Sequence, residues 1–233
     1  MKNNANRLSA RMKAVYDMVD ESTVAADIGC DHGFVSIALI EGNKCEHVIA
    51  CDVNEGPLKA AAENIRRSGL SDKIETRPGD GLHKISSCDR VDTIIIAGMG
   101  GQLMTRILAE GLEIIKGAAQ LVLQPQSELF LVRRFLRENG FYIEKETFLE
   151  DMGKYYWVMD ARPGASEPSG ENEGLFDTYS GYLLKNKDTL LRTYLEKSLE
   201  IKRGYLKNIA EADQGKLREE IGLIEKALTF YEA

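Results

Sequence analysis

The stretch VAADIGCDHGFVSIALIEG, residues 24–42, decides the fold class. A short apolar run is followed by a turn rich in glycine and aspartate, and then by apolar residues at helical spacing. Gly29 and Gly33 allow the chain to turn tightly between the two elements and leave room for a ligand against the backbone. This pattern is typical of a buried parallel strand that leads into a covering helix.

The same alternation of strand and helix continues to Gly140. Strands are predicted at 24–28, 47–53, 73–81, 91–98 and 119–125, and helices at 33–42, 56–69, 102–115 and 127–140. Ser127 is the expected N-cap of the last of these helices. Two final strands, separated by a tight turn at Met152-Gly153, predict a terminal hairpin with one antiparallel strand. The sequence therefore predicts an open α/β sheet, mostly parallel and covered by helices on both faces.

The composition changes after Pro163. Residues 164–174, GASEPSGENEG, predict a linker between a domain of residues 1–163 and a C-terminal unit of residues 175–233. Apolar residues in this unit form two stripes, Leu184, Leu191, Leu195, Leu199, Leu206 and Ile209, then Leu217, Ile221, Ile224, Leu228 and Tyr231. The second stripe has heptad spacing, and EADQG (211–215) between the stripes is turn-like. The two stripes predict an antiparallel helical hairpin of the coiled-coil type.

Composition and charge narrow the class of protein. The net charge of −7 argues weakly against nucleic acid as a binding partner. The first 13 residues, however, hold four basic residues and no acid. Residues 185–207 hold seven Lys/Arg against three Asp/Glu, so they are either a solvated helix face or a surface for phosphates. No apolar run is long enough to span a bilayer, and the N-terminus is basic and polar. Cysteine and histidine residues do not cluster, so we expect no metal site. We also expect a cytoplasmic protein, and a monomer.

Acidic residues follow three successive predicted strands: Asp27 and Asp31, then Asp52, then Asp80 between two glycines. Ligands of open α/β sheets bind at the carboxyl ends of the strands. Asp31 stands where a dinucleotide loop has its middle glycine, and its carboxylate would repel a pyrophosphate. Asp27 is placed to accept from a ligand ammonium, Asp52 from ribose hydroxyls and Asp80 from an adenine amino group. The pattern favours an adenosine cofactor with a cationic, amine-bearing end over NAD(P).

Each of these signals also has a structural interpretation. Gly29 and Gly33 suit an ordinary strand-to-helix turn, Asp52 suits a helix N-cap, and Asp80 lies in a common Asp-Gly turn. The order of the three signals is more specific than any one of them.

The segment IIIAGMGG, residues 94–101, predicts a buried fourth strand that ends at a loop with three glycines and one methionine. The loop contains no acid, base or nucleophile. A chemistry that needs close approach to the backbone, rather than proton transfer, fits such a loop.

Together these motifs resemble the class I S-adenosylmethionine-dependent methyltransferases, whose Rossmann-like sheet ends in an antiparallel hairpin. The combination D-I-G-x-D-H, A-G-M-G-G and L-Q-P, with Arg7-Leu8 and the helical hairpin, resembles the bacterial TrmK-type tRNA adenine-N1 methyltransferases across the whole chain. That resemblance implies S-adenosylmethionine as the cofactor and tRNA as the partner, with transfer to N1 of adenine 22. The fourth strand lacks the Asn/Asp-Pro-Pro-Tyr motif of enzymes that methylate amino groups of nucleic acids.

The resemblance also implies roles for individual residues. The implied cofactor-binding residues are Asp27, Gly29, Cys30, His32, Gly33, Asp52, Val53, Gly79, Asp80, Gly81, Ala97 and Gly98. The implied catalytic residues are Asp31, Gly98, Met99 and Gly100, and the implied substrate contacts are Arg7, Arg11, Gln124 and Pro125. A structural role for His32 is an equal alternative.

Three other functions remain open at this point. The fold also suits a methyltransferase of small molecules or proteins, because fold does not fix substrate. A non-catalytic RNA-binding module that keeps the cofactor fold is a second alternative. An NAD(P) oxidoreductase is disfavoured by Asp31.

Overall fold

The computed structural model describes residues 8–166, 170–208, 210 and 214–232. The chain divides into two compact units, residues 1–167 and 168–233. The limits of the proposed linker, 164–174, stay a prediction, since residues 167–169 lie outside the described part.

A seven-stranded sheet forms the centre of the first unit. Its strands are β1 (Ser22–Ile28), β2 (Cys45–Asp52), β3 (Ile74–Pro78), β4 (Thr93–Gly100), β5 (Gln120–Ser127), β6 (Phe141–Asp151) and β7 (Lys154–Pro163). The strand order is β3-β2-β1-β4-β5-β7-β6. All neighbours up to β5 are parallel, and β7 runs antiparallel to both β5 and β6. The predicted parallel sheet with a terminal hairpin is thus confirmed.

Helices cover both faces of this sheet. They are α1 (Ala10–Met18), α2 (Phe34–Glu41), α3 (Glu55–Arg67), α4 (Gly101–Glu110), α5 (Leu112–Gly117) and α6 (Leu129–Glu138). Side chains alternate between the faces along a strand, so Ile95 packs with α1, α2 and α3 while Ile94 and Ile96 pack with α4, α5 and α6. This two-sided burial explains why the central strands are continuous apolar runs.

The Met152-Gly153 turn between β6 and β7 has the predicted tight geometry. Both residues have positive φ, 51° and 74°, as a type I′ hairpin turn requires. Because β6 runs parallel to β1, this turn lies at the same edge of the sheet as the carboxyl ends of the parallel strands.

Three local predictions are wrong. The helix expected over 102–115 is broken at Gly111, where a Cβ atom would collide with the side chain of Leu82. The strand expected to end at Gly98 continues to Gly100, with shifts of register against β5. Ser127 is the last residue of β5 rather than a helix cap, and its hydroxyl donates to Glu128.

The second unit contains the helical hairpin that the two apolar stripes predict. Its helices are α7 (Glu173–Tyr179), α8 (Gly181–Lys185), α9 (Thr189–Leu206) and α10 (Gly215–Leu228). Helices α9 and α10 pair antiparallel, joined by Lys202–Glu220 and Arg203–Glu225 ion pairs at 2.5 and 2.7 Å. Leu184, expected in the first helix of the hairpin, lies instead in α8, and Ile209 lies outside the described residues.

No described helix has the length and the apolar character needed to cross a membrane. Within the described part of the chain, no group of three or more His, Cys, Asp or Glu side chains is arranged to hold a metal ion.

Candidate active site

A cavity of about 360 Å³ lies at the carboxyl ends of the parallel strands. It is lined by Arg11, Met12, Ile28, Gly29, Asp31, Asp52, Val53, Asn54, Gly79, Asp80, Gly81, Ala97, Gly98, Met99, Leu103, Ile107 and Gln126. Strand β1 connects to β2 on one side and lies beside β4 on the other, so the strand order reverses there. Ligands of open α/β sheets bind at this reversal.

Asp52 organises one wall of the cavity. It is buried, and its two carboxylate oxygens accept hydrogen bonds from the backbone N–H groups of Asp31, at 3.1 Å, and of Asn54, at 2.8 Å. Asp31 itself has a positive φ of 50°. One carboxylate therefore holds together the loops that follow β1 and β2.

The turn after β3 supplies the neighbouring part of the wall. Asp80 lies between Gly79 and Gly81, and its carboxylate is half exposed and faces the guanidinium of Arg106 at 3.4 Å. The N–H of Gly79 donates to the carbonyl of Asp52, which ties this turn to β2. The structure thus brings Asp31, Asp52 and Asp80 together on the cavity surface, but not Asp27.

Asp27 lies beneath the cavity rather than on its surface. Its side chain is buried and accepts a hydrogen bond from the Ser36 hydroxyl at 2.6 Å. Burial raises the pKa of the Asp27 carboxyl from its ordinary value of 3.8 to about 6, against the opposing effect of the Ser36 hydrogen bond. The fold thus disfavours the ionised form of this residue.

Replacing Asp27 with asparagine is therefore expected to stabilise the cofactor-free protein at about pH 8, by about 3 kcal/mol. Because the folded-state pKa is raised, the ionised carboxylate destabilises the fold above about pH 6, and this cost vanishes as the pH falls below about 4. Urea denaturation followed by the fluorescence of Trp157, the single tryptophan, measures the difference. If Asp27→Asn stabilised the protein as much at about pH 4 as at about pH 8, the raised pKa of Asp27 would be contradicted.

The glycine-rich end of β4 forms the opposite wall of the cavity. The N–H of Gly98 donates to Gln124 Oε1 at 3.1 Å, and Met99 packs against Gly29, where a Cβ atom would collide with Met99 Cε. The bare backbone of Gly29 therefore accommodates the side chain of Met99.

Arg11 of α1 closes the cavity on the side of β5. Its guanidinium donates to Gln124 Oε1 at 2.8 Å and lies over the ring of Tyr156, 5.4 Å from the centroid. Its backbone N–H donates to Asp151 at 3.1 Å. Arg7 lies outside the described residues.

Besides Asp27, six described residues with predicted roles do not line the cavity: Cys30, His32, Gly33, Gly100, Gln124 and Pro125. The imidazole of His32 is half exposed, with Nε2 3.6 Å from Asp31 Oδ1. Gly33 is the N-cap of α2, and a Cβ there would press on Ala61 of α3. Gln124 and Pro125 are buried, and Gly100 precedes α4. Their predicted contacts with ligands stay predictions.

Several lining residues carried no assigned role in the sequence: Met12, Ile28, Asn54, Leu103, Ile107 and Gln126. Leu103 and Ile107 are one helical turn apart on α4, and this spacing is the signal that identifies a shared face. Nothing in the local sequence distinguishes Met12, because its place on the cavity depends on where α1 packs.

Comparisons with known proteins agree with this architecture. Residues 8–159 match the family model of a methyltransferase domain. A Bacillus subtilis relative, tRNA (adenine(22)-N(1))-methyltransferase, is 35% identical over 161 residues, which cover 69% of this chain and 67% of the relative.

Solved structures extend the similarity over nearly the whole chain. The putative Streptococcus pneumoniae tRNA (m1A22) methyltransferase in complex with S-adenosyl-L-methionine is 31% identical, with a TM-score of 0.85 over 95% of this chain and 99% of that one. The B. subtilis m1A22 tRNA methyltransferase TrmK is 27% identical, with a TM-score of 0.82 over 95% of this chain and 98% of that one. The predicted resemblance is confirmed, and the chain belongs to the methyltransferase-domain family and, within it, to the family of the tRNA (adenine(22)-N(1))-methyltransferases.

Proposed function

We propose that this protein uses S-adenosylmethionine to methylate N1 of adenine 22 in tRNA. The observation that carries the proposal is the cavity at the reversal of strand order, with three carboxylates on one wall and the Ala97–Met99 backbone on the other. Membership of the family and the cofactor complex of the S. pneumoniae relative support it.

The residues of the cavity fit this cofactor. Asp52 lies at the tip of β2, where an acid is placed to accept from both ribose hydroxyls. Gly79 and Gly81 have no side chains of their own, and the side chains of Lys84 and Ile107 pack against them. We propose that the adenine ring lies against this turn beside Ile107, which also lines the cavity. The carboxylates of Asp31, Asp52 and Asp80 make the wall acidic, which suits a cationic ligand and opposes a pyrophosphate. We propose that Val53 and Ala97 complete the apolar surface around the adenosine.

S-adenosylmethionine supplies an electrophilic methyl group when it is bound. Adenine N1 carries a lone pair and no proton, so the protein does not need a base next to it. Its residues need to hold the ring in line, exclude water and tolerate the positive charge that develops. We propose that Gly98 and Met99, with Gly100 next to them at the end of β4, form the wall against the base, and that Asp31 favours the cationic product electrostatically.

The substrate base lies in a folded tRNA and has to leave its stack to enter the cavity. Among the described residues that line the cavity, Arg11 is the basic one, and it is placed to contact the base or its phosphate. We also propose that the chain acts as a monomer in the cytoplasm, where its substrate is found. Size-exclusion chromatography with light scattering tests the oligomeric state.

Nucleoside analysis after incubation with labelled S-adenosylmethionine tests the proposed function. With an unmodified tRNA transcript, we expect the label in N1-methyladenosine. When adenine 22 of the same transcript is replaced by guanine, we expect the rate of label transfer to fall by at least about 100-fold. The guanine transcript is the matched control, because it keeps the overall shape of the tRNA. Label in another nucleoside, or binding of cofactor without transfer to the tRNA, would refute the proposal.

A further inference from the structure

Gln124 lies in the C-terminal half of β5, and its side chain is fully buried behind the cavity wall. Its Oε1 atom accepts two hydrogen bonds, from Arg11 Nη1 at 2.8 Å and from the backbone N–H of Gly98 at 3.1 Å. Its Nε2 atom donates to the carbonyl of Pro125 at 3.1 Å. A buried amide with these partners is committed to the protein and does not face a substrate.

The bond to Gly98 sets the direction of a peptide group. Strand β4 loses its regular pairing with β5 between Ala97 and Met99, and the Gly98 N–H donates to the Gln124 side chain at that point. In a trans peptide the carbonyl points away from the N–H group. The carbonyl of Ala97, which lines the cavity, therefore points away from the side chain of Gln124.

The bond to Arg11 fixes a second group on the same wall. The guanidinium is held between Gln124 Oε1 and the ring of Tyr156. A planar guanidinium with one anchored nitrogen keeps its remaining N–H groups in a defined direction. One oxygen atom thus orients an acceptor and a donor that both belong to the cavity.

We propose that Gln124 is a positioning residue for methyl transfer. It directs the carbonyl of Ala97 to accept from the exocyclic amine of the target adenine, next to N1, and it holds Arg11 in place. Guanine presents an oxygen at the corresponding position. That oxygen and the carbonyl of Ala97 are both acceptors and repel each other, so guanine is disfavoured. This inference rests on the proposed function and deepens it by assigning the choice of base to a backbone carbonyl and the side chain behind it.

The test compares two buried glutamines on the same strand. Gln120 is 1% exposed, and its amide bonds to the N–H of Asp20, at 3.0 Å, and to the carbonyl of Met18, at 2.8 Å, at the opposite end of β5. Gln124→Met and Gln120→Met remove similar hydrogen bonds at nearly constant volume. We expect both to lower the melting temperature, and only Gln124→Met to lower kcat at saturating cofactor and tRNA, on the order of 100-fold.

Two further variants separate positioning from loss of structure. Gln124→Glu keeps an acceptor for both Arg11 and Gly98 but loses the donor to the Pro125 carbonyl, so we expect it to recover kcat in part. Gln124→Asn keeps the amide but shortens the side chain by one methylene, so it loses contact with at least one donor; we expect a reduced kcat even if Gln124→Met does not fold.

The outcomes distinguish this inference from the proposed function. Parent protein that makes no N1-methyladenosine removes the proposed function, and the inference falls with it. Active parent protein with a parental kcat in Gln124→Asn, or equal kcat in Gln124→Met and Gln120→Met, overturns the inference alone. A lower kcat in Gln124→Met and Gln124→Asn, with recovery in Gln124→Glu, supports it.

Discussion

Replacing Asp52 with alanine is expected to weaken the binding of S-adenosylmethionine by about 100-fold or more. The carboxylate holds the N–H groups of Asp31 and Asn54 and faces the cavity at the position proposed for the ribose. Hydrogen bonds to a charged group contribute about 1.5–3 kcal/mol each, and every 1.4 kcal/mol is tenfold in affinity. Isothermal titration calorimetry with the purified protein measures the change.

Asp92→Ala is the matched control for this experiment. Its carboxylate also accepts two backbone N–H groups, those of Thr23 and Val24 at 2.9 and 3.0 Å, but at the start of β1, away from the cavity. We expect this variant to lose stability and to keep its affinity for the cofactor. If Asp52→Ala bound the cofactor as tightly as Asp92→Ala does, the proposed ribose site would be wrong.

Replacing Glu146 with alanine is expected to destabilise the first unit by about 3–5 kcal/mol. Glu146 on β6 and Arg133 on α6 form an ion pair at 2.5 Å, with side chains that are 0% and 3% exposed. Glu146→Ala removes the carboxylate 2.5 Å from the buried guanidinium of Arg133, and breaking a buried ion pair at one partner is far more costly than replacing both partners by apolar residues. Urea denaturation followed by Trp157 fluorescence reports on this region, since Trp157 on β7 contacts Phe148 on β6.

Two variants complete the test of the buried pair. The double replacement of Arg133 and Glu146 by leucine is expected to recover much of the lost stability. Glu55→Ala breaks an exposed pair with Lys59 on α3, whose side chains are 83% and 77% exposed, and we expect a change within about 0.5 kcal/mol. A loss below about 1 kcal/mol in Glu146→Ala would show that the pair contributes little. Cofactor affinity measured under native conditions should stay unchanged, because Glu146 does not line the cavity.

The fold was predictable because its signals are local. The alternation of apolar runs with helical spacing continues to Gly140, and the burial of Ile94, Ile95 and Ile96 from both sides follows from that run alone. The turn at Met152-Gly153 was visible for the same reason, because a tight turn depends on the residues within it. Asp52 and the Gly79–Gly81 turn were also within reach, since strand tips in a parallel sheet share one edge.

Features that depend on distant partners were not predictable. The close packing of Leu82 against Gly111, 29 positions away in the chain, has no local signal, and Ser127 is not a helix cap because β5 extends to include it. Asp27 has the sequence signature of a ligand-facing acid, yet α2 covers it and supplies Ser36 as its partner.

Local sequence patterns were sufficient to predict the sheet, its order of acidic tips, the helical hairpin and the family. Tertiary structure alone decided which of those residues face the cavity. Gln124 is turned inward to Arg11 and Gly98, which are 113 and 26 positions away, and Met99 lies against Gly29. The physical reason is that strand and helix periodicity is a property of neighbours in the chain, whereas the direction of a buried polar side chain is set by whichever donors the packed elements bring to it.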